Sequence, residues 1–324
     1  MKELAYYEAL REALREEMLR DPDVFLIGED IGRYGGIRKV TWGLYDEFGP
    51  ERVIDTPISE TAIVGVSIGA ALMGLRPVAE IMYMDFMPLC SEQILNHIAK
   101  AHFMSGGQLE LPLTIRTQYA LGRAYGCQHS QFIPSWFLNM PGIFLALPST
   151  PYDAKGLLKT SIRGRNPTVF VECAMLYFKV KEQIPEEEYT VPFGKADIKR
   201  AGDDVTIVAI SRMVHEALAA AGELEKMKIS AEVVDPRTLN PLDKGTIIKS
   251  VKKTGHVVIA SDDTRTGGVC AEISSVITES AFDHLEAPIV RVAAPDMPVP
   301  SSRKLEKQYM PNKEDIIKAV SRIL

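Results

Sequence analysis

The chain has 324 residues, which is enough for two domains of ordinary size that each bury a core. Its 37 Lys and Arg residues against 43 Asp and Glu residues give a net charge of −6, and no segment gathers the positive charge that nucleic-acid binding needs. Nucleic acid is therefore not expected as a partner.

The cysteines and the apolar stretches limit the compartment. Cys90, Cys127, Cys173 and Cys270 form no C-x-x-C pair, which argues against a zinc site and a disulfide framework. Reduced thiols of this kind are typical of a cytoplasmic protein. Residues 63–75 form one of the longest apolar stretches and fall short of the about 20 residues of a membrane span. With no signal-peptide pattern at the N-terminus, we expect a cytoplasmic protein that does not enter the membrane.

Short apolar, β-branched segments alternate with helical patterns in the first part of the chain. A charged amphipathic helix is predicted over residues 1–20. This alternation predicts an α/β fold with a mostly parallel sheet that helices cover on both faces. The predicted strands are residues 24–27, 78–81, 113–115, 143–146 and 169–171, and the predicted helices are one from residue 61, one over 88–103 and one over 152–162.

An acidic segment then interrupts the alternation. Residues 182–192 contain three consecutive glutamates from Glu186 onward together with proline, and they show no apolar period. Domain boundaries favour exposed polar segments of this kind. We therefore predict a domain over residues 1–185, a linker over 186–200 and a second α/β domain over 201–324. The strands predicted in the second domain are 205–210, 231–234, 257–260 and 289–292, and the helices are 213–227, one from 243, and 268–281.

One carboxylate stands at the expected start of a helix. Pro57 disfavours helix at the residue before it, Ser59 can cap a helix, and Glu60 then falls in the first turn beside unpaired amides. Two interpretations are open for this glutamate. It closes a capping box or compensates the helix dipole, or it is a catalytic acid.

Three glycines follow in the same predicted helix, at Gly65, Gly69 and Gly74. Each lowers helix propensity by roughly 1 kcal/mol relative to alanine, which is unfavourable unless another backbone approaches closely. We interpret this stretch as a tight helix crossing, either between subunits or inside one domain.

Glu60, four further residues and then Gly65-Val66-Ser67-Ile68-Gly69 resemble the pyrimidine-side motif of thiamine diphosphate enzymes. From about Leu4 to the C-terminus, the chain is similar to the beta subunit of the E1 component of 2-oxo acid dehydrogenase complexes. The resemblance implies two parallel-sheet α/β domains, a pyrimidine-type thiamine diphosphate-binding domain followed by a transketolase C-terminal-like domain. The other segments that carry it are Gly28-Glu29-Asp30, residues 52–60, Gly74-Leu75-Arg76-Pro77, Met104-Ser105-Gly106-Gly107, Gln128-His129-Ser130-Gln131 and residues 151–157.

The chain lacks the Gly-Asp-Gly and distant Asn with which thiamine diphosphate enzymes hold Mg²⁺ and the pyrophosphate. It also lacks the glycine-rich patterns of dinucleotide and nucleoside triphosphate sites. The resemblance therefore implies that thiamine diphosphate is shared with an E1 alpha subunit, which holds Mg²⁺. The implied assembly is an alpha2beta2 heterotetramer with a second beta subunit, which works with an E2 lipoyl acyltransferase core.

The resemblance also assigns roles to single residues. Glu60 takes the position of the acid that hydrogen-bonds N1′ of the cofactor. Phe86 takes the position of the ring against the aminopyrimidine, with Ile58 and Met82 as its apolar neighbours. His129, in a polar loop, takes the position at the substrate end of the cofactor. Without the resemblance, Phe86 and Met82 fit core packing and His129 fits a surface loop.

A potassium ion held by main-chain carbonyl groups is a further implication of the resemblance. Gly164 stands where relatives commonly have aspartate, so this part of the pattern is not fully kept. The implied positions are Leu113, Ser161, Ile162, Gly164 and Asn166.

The expected reaction is decarboxylation of a 2-oxo acid and reductive acylation of a lipoyl group. Pyruvate is the first expectation because Gln128 precedes His129, and acetoin and branched-chain 2-oxo acids are the alternatives. Two other interpretations compete with this one. A non-catalytic interaction subunit has no need of Glu60, Phe86 and His129 together, and a self-sufficient transketolase-like transferase needs the missing phosphate-side motif.

Overall fold

The computed structural model describes residues 1–324, which form two compact units. The first unit contains Met1–Ala120 and Trp136–Phe193, and the second contains Leu121–Ser135 and Gly194–Leu324. None of the helices combines the length and the apolar character that crossing a bilayer requires.

The first unit is built on a parallel sheet, in which six of its strands lie in the order β6-β7-β5-β4-β2-β3. Most of their residues are buried, as expected for strands that helices cover on both faces. A separate antiparallel pair joins β1 to β8. The strands are β1 (Lys2–Ala5), β2 (Val24–Gly28), β3 (Val53–Asp55), β4 (Arg76–Ile81), β5 (Thr114–Tyr119), β6 (Phe144–Ala146), β7 (Thr168–Cys173) and β8 (Lys181–Ile184).

The helices differ from the predicted ones at two places. The predicted helix over residues 1–20 begins only at Tyr6, because residues 2–5 pair with β8 as a strand. The predicted helix over 88–103 lies in a helical stretch that runs without a break from residue 84 to residue 104, but its hydrogen-bond pattern changes from 3₁₀ over Met84–Cys90 to π over Gln93–Ile98 and then to a short α-helix. The helices are α1 (Tyr6–Arg20), α2 (Leu44–Phe48), α3 (Glu60–Leu72), α4 (Ala99–Met104), α5 (Ser135–Leu138) and α6 (Pro151–Arg163).

A buried charged network ties three neighbouring strands of this sheet together. Arg116 on β5 donates from Nε and Nη2 to both carboxylate oxygens of Glu172 on β7, at 2.7 and 2.9 Å. Its Nη1 donates to Glu80 on β4 at 2.7 Å, and the Tyr177 hydroxyl donates to Glu172 at 2.5 Å. Bidentate geometry makes this pairing directional, so it also fixes the register of the three strands.

The second unit has a five-stranded sheet in the order β14-β13-β10-β11-β9, parallel except for the edge strand β9. Strand β9 lies inside the segment predicted as a linker, because its backbone completes the edge of β11. The strands are β9 (Asp197–Arg200), β10 (Val205–Ala209), β11 (Ala231–Asp235), β12 (Thr238–Asn240), β13 (Val257–Thr264) and β14 (Val290–Ala294). The helices are α7 (Met213–Lys226), α8 (Lys244–Thr254), α9 (Val269–Ala281), α10 (Arg303–Tyr309) and α11 (Lys313–Ile323), with a 3₁₀ turn at Phe282–His284.

Candidate active site

Four of the residues singled out from the sequence follow two strands that end at the same edge of the first sheet. Strand β2 pairs in parallel with β3 on one side and with β4 on the other, and Gly28 is the register partner of both Asp55 and Glu80. The segments that continue from β3 and β4 are therefore neighbours. The first carries Ile58 and Glu60, and the second carries Met82 and Phe86.

Glu60 is the first residue of α3, and its side chain is buried, with 7% of the residue exposed. Ser59 occupies the cap position, but its hydroxyl donates to the Pro57 carbonyl at 3.0 Å, so the predicted side-chain cap is wrong. A capping box would also need the glutamate three residues after the cap rather than one. No residue of the chain hydrogen-bonds or ion-pairs with the Glu60 carboxyl group. This leaves a buried acid open to a group from outside the chain.

A second carboxyl group lies close to Glu60. The pKa of Glu29 is raised by burial and by the Glu60 charge, and a hydrogen bond from the Ser59 amide opposes this shift. Burial together with the same Glu60 charge raises the pKa of the Cys90 thiol to about 12. The sequence named Glu29 only as part of the segment Gly28-Glu29-Asp30 and gave it no role. Its place directly after β2 is a usable signal, since carboxyl ends of parallel strands gather polar site residues.

The predicted apolar neighbours of Glu60 are only partly covered. The Thr61 hydroxyl donates to the Leu89 carbonyl at 2.6 Å and so joins the start of α3 to the 3₁₀ segment that carries Phe86. Phe86 is half-buried and packs edge-on against Tyr83, with ring centroids 5.6 Å apart. Ile58 is 82% exposed. Neither Phe86 nor Ile58 is therefore part of a sealed core.

His129 lies in the second unit, on the loop formed by Leu121–Ser135. It is half-buried, and its backbone amide donates to the Gly126 carbonyl at 3.4 Å. Two residues of this loop, Ala124 with φ of +60° and Gly126 with φ of +77°, adopt left-handed backbone conformations. Glu60 belongs to the first unit.

Four of the five carbonyl groups predicted to hold potassium, those of Leu113, Ser161, Ile162 and Gly164, already accept hydrogen bonds. Arg76 Nη1 donates to two of them, at 2.9 Å to Ile162 and 3.0 Å to Gly164. The Ser161 carbonyl accepts the Gly164 amide at 3.1 Å, and that of Leu113 accepts the amide of Thr168 at 2.9 Å. A carbonyl oxygen has a second lone pair, so the arrangement can still take a cation, and potassium stays a prediction. No cluster of three or more His, Cys, Asp or Glu side chains could hold a metal ion.

Two family models match the chain. The model "Transketolase, pyrimidine binding domain" matches residues 2–179, and "Transketolase, C-terminal domain" matches residues 194–316. A solved structure titled "Split gene transketolase, inactive beta4 tetramer" superposes with a TM-score of 0.82 over 99% of this chain and 98% of its own, at 24% identity. This supports the predicted fold class of two transketolase-like α/β domains.

Curated proteins of three kinds are similar along almost the whole chain. The 2-oxoisovalerate dehydrogenase subunit beta of Bacillus subtilis is 44% identical over 98% of this chain and 97% of its own length. The mitochondrial pyruvate dehydrogenase E1 component subunit beta-2 of Oryza sativa is 43% identical over 99% and 86%. The acetoin:2,6-dichlorophenolindophenol oxidoreductase subunit beta of Bacillus subtilis is 42% identical over 98% and 96%.

Proposed function

The chain belongs to the family of E1 beta subunits of 2-oxo acid dehydrogenases, and we propose that it supplies the pyrimidine side of a thiamine diphosphate site shared with an alpha subunit. The observation that carries this proposal is the Glu60 carboxyl group, which is buried at the start of α3 and has no partner in the chain. A carboxyl group in that state fits a ring nitrogen that needs a hydrogen bond.

The residues of this chain would position the cofactor and hold one proton. Thiamine diphosphate, when bound, supplies the electron sink for decarboxylation. Glu60 would hydrogen-bond N1′ of its pyrimidine and hold the proton there. Phe86 would lie against that ring, and Ile58 and Met82 would exclude water from it. The exposure of Ile58, at 82%, supports this assignment because a bound group would cover it.

His129 is proposed to act at the substrate end of a bound cofactor. An imidazole there can orient the carboxylate of a 2-oxo acid or move a proton while the acyl group passes to a lipoyl arm. Partners proposed for this step are the alpha subunit, a second beta subunit and the lipoyl acyltransferase E2. Mg²⁺ is assigned to the alpha subunit, and potassium to the carbonyl groups around Gly164.

An exposed apolar face on α3 supports the proposed assembly. A Cβ atom added at Gly65 or Gly69 would meet nothing within 4 Å, so these glycines serve no close packing inside the chain. Val66 on α3 and Met73 directly after α3 are 57% and 84% exposed. Exposed apolar side chains gathered in this way are typical of a contact with another protein. A neighbouring subunit of the heterotetramer is the proposed occupant.

Pyruvate is proposed as the substrate, on the basis of Gln128 before His129. The identities of 42 to 44% to relatives named for three different substrates favour none of them. Turnover of pyruvate, 2-oxoisovalerate and acetoin by the chain assembled with its alpha subunit would rank the three. A preference for 2-oxoisovalerate or acetoin would replace pyruvate and leave the rest of the proposal in place.

The shared site is tested by titrating thiamine diphosphate and Mg²⁺ into the chain alone and into its complex with the alpha subunit, with calorimetry as the readout. We expect tight binding only by the complex, since the chain lacks the phosphate-side motif. Tight binding by the isolated chain would contradict the shared site. A complex that binds the cofactor but turns over none of pyruvate, 2-oxoisovalerate and acetoin would favour the non-catalytic subunit instead.

A further inference from the structure

We infer that Glu306 is a positioning residue that holds the loop carrying His129. The inference rests on the proposed function, because His129 acts at the substrate end of the cofactor only under that proposal. Both residues belong to the second unit, which contains Leu121–Ser135 and the C-terminal helices.

The contact is a two-pronged hydrogen bond between a helix side chain and the loop backbone. The Gly122 amide donates to Oε1 of Glu306 at 2.8 Å, and the Ala124 amide donates to Oε2 at 2.7 Å. Glu306 lies on α10 and is only 2% exposed. Hydrogen bonds to a carboxylate are roughly twice as strong as those between neutral groups, and two of them fix direction as well as distance.

The loop backbone needs such an anchor at this point. Gly122 has φ of +86°, and Ala124 has φ of +60°, a conformation that a residue with a side chain rarely adopts. Strained residues of this kind persist only when their surroundings hold them. Two residues after Ala124, the carbonyl of Gly126 accepts the amide of His129, so the anchored turn leads directly into the imidazole position.

The chain just after α10 is itself held in place. Just after α10, the Pro311 carbonyl accepts a hydrogen bond of 2.8 Å from Arg212 Nη2, and the same guanidinium forms a buried ion pair with Asp262 on β13. A cavity of about 480 Å³ is lined both by loop residues, among them Cys127 and Ser130, and by Tyr309 on α10, so a released loop has room to shift.

Glu306→Gln removes one of the two acceptors with almost no change in size. Its amide oxygen can still accept one backbone N–H, but its NH₂ group then faces the other. We expect faster hydrogen–deuterium exchange in peptides covering residues 121–131 of the chain assembled with its alpha subunit. Glu306→Asp keeps both carboxylate oxygens and should restore part of the protection. Glu314→Gln is the matched control, an exposed glutamate on α11 that should leave exchange in this loop unchanged.

The effect on catalysis is measured as turnover of a 2-oxo acid with a lipoyl domain as acceptor. A displacement of about 1 Å can lower a rate by about 10²-fold, so we expect Glu306→Gln to lower kcat by up to that factor. KM should change far less, and Glu306→Asp should recover part of kcat. If the two residues act through one loop, adding Glu306→Gln to His129→Ala should cause no further loss.

The outcomes separate the two proposals. Unchanged exchange in Glu306→Gln would overturn the anchoring of the loop, whatever His129 does. If exchange is faster in Glu306→Gln but the losses of kcat add up in the double variant with His129→Ala, the link from Glu306 to His129 would be overturned. Normal turnover by His129→Ala would remove the proposed role of His129, while the exchange measurement would still decide whether Glu306 anchors the loop.

Discussion

Glu60 and Glu29 lie close together although 30 residues separate them, because each follows one of two neighbouring parallel strands. Placing two carboxyl groups side by side in a partly buried setting is unfavourable, and the raised pKa of Glu29 is the sign of this. Such arrangements concentrate at functional sites. The unpaired Glu60 carboxyl group and the Glu29 carboxyl group beside it thus both support an acid–base role for Glu60.

Glu60→Gln should abolish the proton transfer while keeping the shape of the site. Glutamine can hydrogen-bond a ring nitrogen but has no acidic proton, so we expect decarboxylation to fall by about 10²- to 10⁴-fold. The direct measurement is hydrogen–deuterium exchange at C2 of the cofactor in the complex with the alpha subunit. Glu51→Gln, an exposed glutamate of the same unit, is the control. C2 exchange at the normal rate in Glu60→Gln would refute the assignment.

At the scale of single elements, the first turn of α9 donates a hydrogen bond to a buried carboxylate. Asp263, near the end of β13, accepts the Val269 amide at 2.6 Å and thereby satisfies one of the free donors at the start of the helix. Burial raises its pKa from 3.8 to about 6, against this hydrogen bond. Its second carboxylate oxygen has no partner. The helix start is therefore held by a group that is costly to ionise.

The stability of this element should depend on pH with a defined sign. Because the folded pKa is the higher one, the contribution of Asp263 to stability is complete below about pH 4 and is lost as the pH rises to about 6. The difference between 3.8 and about 6 corresponds to about 3 kcal/mol, which is an upper bound. Asp263→Asn keeps an acceptor for Val269 and removes the charge. We expect it to raise Tm at pH 8 and to have a smaller effect at pH 5.

Calorimetry of both variants at the two pH values checks this prediction. Asp283→Asn, which changes an exposed aspartate in the same unit, should leave Tm within error at both. An Asp263→Asn protein with lower Tm at pH 8 than the parent chain would show that the charge, and not only the acceptor, stabilises the start of α9.

At the scale of the whole molecule, a substitution on the exposed surface of α3 can test assembly without disturbing the fold. Gly69 is exposed and a side chain there would meet no atom of its own chain, so leucine can be accommodated and removes the helix cost of glycine. We expect Gly69→Leu to leave the isolated chain folded, with equal or higher Tm, and to prevent formation of the heterotetramer. Size-exclusion chromatography with light scattering, after mixing with the alpha subunit, measures this.

Gly222→Leu is the matched control. Gly222 lies on α7, and a side chain there would likewise meet nothing within 4 Å. We expect this variant to assemble normally. A Gly69→Leu chain that still forms a complex of full size would rule out α3 as a subunit contact.

The amino-acid sequence by itself determined the family and the α/β fold class. Strand and helix periods are local properties, and the order of motifs from Gly28 to the segment after Pro151 was sufficient to identify E1 beta subunits. Glu60 was predicted as the catalytic acid for the same reason, since its signal lies within ten residues. The sequence did not show the strand at residues 2–5, the changes of helix type over residues 84–104 or the strand inside the predicted linker. Both strands depend on a partner strand that is distant in sequence.

Only the tertiary structure decided which distant groups meet. Glu306 is 184 residues from Gly122, and nothing in the local pattern of either indicates the contact. The nearness of Glu29 to Glu60 likewise follows from which strands are adjacent in the sheet. Strand pairing and packing are set by the free energy of folding of the whole chain, and not by any local segment. They determine the electrostatic surroundings of a candidate site residue. The candidate residue itself was predicted from its neighbours in sequence, because a motif is a local pattern.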